Sequence, residues 1–214
     1  MEQKIIKEAC VESLSEALEA QRRGADQIEL CSNLAEEGLT PSAVLIQECL
    51  TQLSIPVKVM VRPRPGSFVC DTLDLGDMVS DIKMMKNLGV HEIALGVTTP
   101  DGNIDIESLK LLIAHAGDMR ITFHKAIDTC TDPLQEVRHL VELGSIHGVL
   151  TSGGASTANE GITNLLAMSE ASGGEIQIIA AGSITDKNID SLHNQLQLST
   201  YHGRRIMGDL NLKK

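Results

Sequence analysis

Along this chain, short apolar runs alternate with longer segments in which apolar positions recur every three or four residues. The short runs fall at 4–10, 26–32, 56–62, 92–97, 119–125, 147–152, 175–181 and 198–206. Their length and their Val, Ile and Leu content predict strands buried on both faces, as in a parallel sheet. The longer segments, at 12–25, 42–53, 76–89, 105–117, 133–144, 158–173 and 186–196, predict seven helices. Gly24, Gly89 and Gly144 stand where helices should stop, and Pro133 stands in a first turn. At Thr40-Pro41-Ser42, Thr40 is expected to cap the second helix with Pro41 in its first turn.

Eight β units in this order predict an α/β fold, a TIM-type (β/α)8 barrel, for which about 200 residues is the lower limit. A doubly wound open sheet would show the same alternation. No linker or shift of composition divides the chain, so residues 1–214 are expected to form one barrel domain. After the last strand run only MGDLNLKK remains, too short for a closing eighth helix. A second copy of the chain covering that face, a homo-oligomer, is the corresponding expectation.

Charge and composition narrow the partners. Acidic residues number 29 against 18 basic, a formal charge of −11, which argues against nucleic-acid phosphates and anionic membrane surfaces. With one Tyr and two Phe there is no base-stacking platform. No apolar run approaches the roughly 18–20 residues of a membrane span. Five cysteines, an odd number without CxxC spacing, fit reduced thiols in the cytoplasm better than a disulfide framework.

In a parallel barrel the chemistry gathers at the C-terminal strand ends. Those ends carry Glu8 with Cys10, Glu29 with Cys31, Arg62 with Arg64, His124 with Asp128, and His202 with Arg204. Alternation places each of the first three pairs on one face of its strand. Arg62 and Arg64 suit a carboxylate or phosphate clamp, or else internal struts paired with Glu29 and Glu8. His124, oriented by Asp128, suits a general base, with Glu29 as a further acid–base group. Two late loops, Ser152-Gly153-Gly154 and the one at Gly182, are candidates for cradling an anion with backbone amides. Cys10 and Cys31, on neighbouring strands, are either buried small hydrophobes or a soft site for Cu(I).

The segments EACVES, GADQIELCSNLAEEGLTPS, VMVRPRPGSF, ITFHKAID and VLTSGG, in this order and spacing, resemble the CutC family of copper homeostasis proteins. The resemblance runs from Lys7 to about Gly203 and implies a TIM-type barrel and a cytoplasmic role in copper tolerance or trafficking. It also implies Cu(I) ligands at Cys10 and Cys31. The chain departs from the family pattern at Glu37, at Pro65-Gly66-Ser67 and at Ala181-Gly182-Ser183, where the family carries further glycines or an aspartate. Two functions follow as expectations. One is Cu(I) binding through Cys10 and Cys31, with His124 or His202 as a further ligand. The other is a barrel enzyme acting on a small anionic metabolite held by Arg62 and Arg64. His124 and a glutamate would then do acid–base work, or Glu8, Glu29 and His124 would hold a hard metal.

Overall fold

The computed structural model describes residues 5–210. Eight parallel strands close into a barrel in sequence order, each paired with the next and β8 with β1. They are β1 (Ile6–Val11), β2 (Gln27–Leu30), β3 (Val57–Met60), β4 (Glu92–Leu95), β5 (Arg120–Phe123), β6 (Gly148–Thr151), β7 (Gln177–Ala180) and β8 (Thr200–Gly203). Closure excludes the open doubly wound sheet. Seven helices form the crossovers: α1 (Leu14–Arg22), α2 (Ala43–Gln52), α3 (Thr72–Asn87), α4 (Ile106–Ala116), α5 (Pro133–Leu143), α6 (Ile162–Ala171) and α7 (Ile189–Leu196). None of the described residues forms a helix long and apolar enough to cross a membrane.

Most strands are shorter than the apolar runs, and several runs continue past the strand into a loop that carries a polar side chain. His124, for example, ends the run of β5 but opens a 3-10 turn, Lys125–Thr129. Helix caps explain two further differences. The second helix is capped by Ser42, whose Oγ accepts from Leu45 N, while Thr40 Oγ1 accepts from Arg62 N. Helix α3 starts four residues before the expected position, because Asp71 and Asp74 form a reciprocal capping box. At the end of α5, Gly144 takes φ +68°, the left-handed conformation that closes a helix and costs glycine little.

Alternation along the strands sorts two cores. The outward set, including Val57, Val59, Ile28, Leu30 and Tyr201, packs under the helices in one large apolar cluster. The inward set is mixed. Cys10, Cys31, Met60 and Ala94 form one small cluster, Leu150, Ile179 and Ala181 another, and between them run charged side chains. No eighth helix occurs among the described residues. Residues 204–210 instead fold back across α1, where Arg23 donates to the carbonyls of Met207 and Asp209, and Ile206 and Leu210 are buried.

Candidate functional site

The floor of the barrel is an ionic network. Glu8 on β1 accepts from Lys58 Nζ at 2.7 Å and lies 2.9 Å from His202 Nδ1, its direct partner across β8. Burial alone would raise the Glu8 carboxyl, but the Lys58 charge and the His202 contact overcome it and hold it at about 2. Lys58 also lies 3.4 Å from Glu92. His202 bridges upward, its Nε2 3.7 Å from Glu29 Oε2. Burial disfavours the His202 cation, yet the Glu29 charge together with Cys10 and Glu8 raises its pKa well above the usual value. An imidazolium that hydrogen-bonds Glu8 through Nδ1 and lies within ion-pair distance of Glu29 through Nε2 therefore joins β1, β2 and β8.

Above this floor sit the two thiols. Cys10 Sγ is 4.0 Å from Cys31 Sγ, and Cys31 Sγ is 3.8 Å from Glu29 Oε2. The Cys31 S–H and the neighbouring His202 hold the Cys10 thiol low, at about 5, while the Cys10 thiolate and burial push Cys31 up. Burial raises the Glu29 carboxyl to about 8 against the opposing pull of the His202 charge. Cys10, Glu29 and Cys31 present ligand atoms within 4.8 Å of one another, as do Glu8, Glu29 and His202.

A cavity of about 330 Å³ opens over the thiols at the C-terminal mouth, lined on one side by Cys10, Glu29 and His202 and on the other by Arg62, Phe68 and His124. Arg62 is buried. It donates to the carbonyls of Glu36, Gly38 and Gly66, and its guanidinium lies 4.6 Å over the Phe68 ring. The same ring meets His124, centroid to centroid 5.1 Å. His124 Nδ1 accepts from Ala126 N, so the neutral ring carries its proton on Nε2. Burial and the Arg62 charge push its pKa down to about 3. Gly96 makes room for this ring: a Cβ there would stand 2.5 Å from His124 Nδ1.

Several expected roles change with these positions. Arg64 leaves the cavity and pairs with Asp74 at 2.6 Å, so it is no partner of Arg62 in an anion clamp. Neither arginine pairs with Glu8 or Glu29; the internal base is Lys58, which lies within β3 rather than at its C-terminal end. A lysine in the middle of the apolar run VKVMV was the available signal. Asp128 does not orient His124. Its carboxylate accepts from the amides of Ser152 and Gly154, from Thr151 Oγ1 and from Lys125 Nζ. It is thus the anion in the Ser152-Gly153-Gly154 loop, a candidate cradle for an external anion. Gly153 N turns to Thr151 Oγ1. Gly182 lies off the cavity, with φ +99°, and an added Cβ there would meet Ser152 Cβ at 2.9 Å. His124, with its acceptor nitrogen engaged, is a hydrogen-bond donor to the cavity rather than a general base.

Comparison with known proteins agrees with this architecture. The model of the CutC family matches residues 5–207. The human copper homeostasis protein cutC homolog is 38% identical over 195 residues, which are 91% of this chain and 71% of that protein. A solved CutC structure from Streptococcus agalactiae superimposes with a TM-score of 0.89 at 31% identity, covering 94% of this chain and 99% of the other. QR15, an aldolase, shares the barrel alone, with a TM-score of 0.68 at 12% identity over 98% of this chain and 93% of its own. The family match spans every residue of the floor network, both thiols and His124, and the chain belongs to the CutC family.

Proposed function

We propose that this protein binds Cu(I) between Cys10 and Cys31 and serves copper homeostasis in the cytoplasm, where thiols stay reduced. The observation that carries the reading is the 4.0 Å separation of the two sulfurs. Two metal–sulfur bonds of roughly 2.3 Å, the length of zinc thiolates, span up to about 4.6 Å, so a bent two-thiolate arrangement fits with little movement. Thiolates are the ligands that favour Cu(I) over hard cations. One of the pair, Cys10, is held low by the Cys31 S–H and by His202, and a metal would release the remaining thiol proton. Cys10 faces both the mouth cavity and an adjoining cleft lined by Glu16 and Arg204, so an arriving ion meets Cys10 before the fully buried Cys31.

Competition of the reduced protein against a chromogenic Cu(I) chelator tests this. The expected result is stoichiometric binding that is lost in the Cys10→Ser, Cys31→Ser double variant and weakened in each single one. Affinity no greater in the wild type than in the double variant ends the reading.

A further inference from the structure

Among the described residues, three buried side-chain atoms have no hydrogen-bond partner: Arg62 Nε, His124 Nε2 and Glu29 Oε1. All three residues line the same cavity, and each is at most 5% exposed. An unpaired buried polar group costs on the order of 1–3 kcal/mol, and three orphans in one cavity mark a place where a ligand completes the bonding. Cu(I) does not account for the two nitrogens. Arg62 cannot ligate a metal, and the free nitrogen of His124 carries a hydrogen because its other nitrogen accepts from Ala126 N.

We propose that Arg62 Nε–H and His124 Nε2–H form a binding site for the carboxylate of a small monocarboxylic acid, whose body lies against Phe68, Met60 and Leu150. The two donors are held in fixed directions, Arg62 by three backbone carbonyls and His124 by Ala126 N and by the space at Gly96. Both groups rest against the same Phe68 ring, and each presents an N–H for which a carboxylate oxygen is the matching acceptor. The depressed pKa of His124 keeps the ring a neutral donor across the physiological range. A dianion suits the site less well than a monoanion, because Glu29, Glu37 and Asp128 share the lining with Arg62 and Lys125. The β6 loop, the other candidate anion cradle, already holds the Asp128 carboxylate. Size follows from the volume: at about 30 Å³ per water-sized group, the cavity takes on the order of ten non-hydrogen atoms. Neither Arg62 nor His124 is a Cu(I) ligand in the reading above, so failure of the carboxylate site and failure of the Cu(I) site are distinguishable.

The test is a titration of copper-free protein, followed through the side-chain ¹⁵N resonances of His124. The probes are pyruvate, 2-oxoisovalerate, 2-oxoisocaproate, their 2-hydroxy counterparts, benzoate, the matching amides and inorganic phosphate. At millimolar concentration at least one carboxylate is expected to shift the Nε2 resonance and raise the melting temperature, while its amide does not. Removing one donor, in His124→Phe or Arg62→Lys, is expected to weaken binding roughly ten-fold. The wild-type resonance decides the matter even if a variant fails to fold. An unmoved Nε2 resonance with every carboxylate, tighter binding of phosphate, or equal affinity in folded His124→Phe overturns the proposal.

Discussion

Lys58 of β3 and Glu8 of β1 form an ion pair of 2.7 Å inside the barrel, with side chains 1% and 0% exposed. Neither strand is the other's neighbour, so the pair spans the interior rather than the sheet. Each partner is buried only because the other is present. Lys58→Met leaves the Glu8 carboxylate facing His202 alone, and a loss of about 3–5 kcal/mol is expected, as for other broken buried pairs. Denaturant unfolding measures it. The Glu8→Gln, Lys58→Met double variant should recover part of the loss, and a single-variant cost below about 1 kcal/mol would rule out this role.

Glu29 sets a pH dependence of opposite sign to that of Glu8. Burial raises its pKa from 4.5 to about 8, so the folded chain holds this proton more tightly than the unfolded chain. Below 4.5 both states are protonated and the residue contributes nothing to pH dependence. Between 4.5 and 8 the unfolded carboxyl ionises first, and stability falls as pH rises. Glu29→Gln removes that fall, and its gain over the wild type at pH 8 relative to pH 4.5 should be on the order of 2–4 kcal/mol. Parallel stability curves for the two proteins would contradict the assignment.

Asp128→Asn is expected to loosen the loop after β6. The carboxylate holds the Ser152 and Gly154 amides at 3.0 and 2.8 Å, together with Lys125. Burial opposes its charge, but Lys125 and the loop donors keep its pKa below the ordinary aspartate range. The stabilisation is therefore present above that range and disappears as pH falls through the lowered value. A cost of about 2–3 kcal/mol at neutral pH is expected. Amide hydrogen exchange at Ser152 and Gly154 should speed up, and unchanged protection there would contradict the arrangement.

Gly96→Ala places a methyl group against the His124 ring. The ring must shift, and overpacking at such a site costs about 1–3 kcal/mol. Thermal unfolding reads the cost, while a displaced His124 side-chain resonance distinguishes this local shift from a general loosening of the barrel.

Much of this was legible in the chain. Helical and strand periods gave the barrel because every element is short and bounded by Gly, Pro or a capping residue. Period-2 alternation brought Cys10, Glu29 and Cys31 to one interior, since a closed parallel barrel leaves each strand only an inward and an outward face. Relations between distant segments were not legible. Nothing local says that Asp128 reaches Gly154, or that Arg64 turns away to Asp74 once α3 starts at Thr72. Lys58 read as an ordinary strand residue because its partner lies 50 positions away. Gly96 carried no chemistry of its own, and only the packed ring beside it explains the glycine.

The three carbonyls that hold Arg62 belong to two different loops, Glu36 and Gly38 from the one after β2 and Gly66 from the one after β3. One guanidinium therefore fastens both loops over the mouth like a single stitch, while its Nε–H is left without a partner. Whatever occupies that N–H tightens the stitch, and whatever withdraws Arg62 frees both loops together. Occupancy of the cavity and order of the rim are in this way one equilibrium, so the rigidity of residues 34–38 and 64–68 becomes a direct readout of whether the barrel is filled.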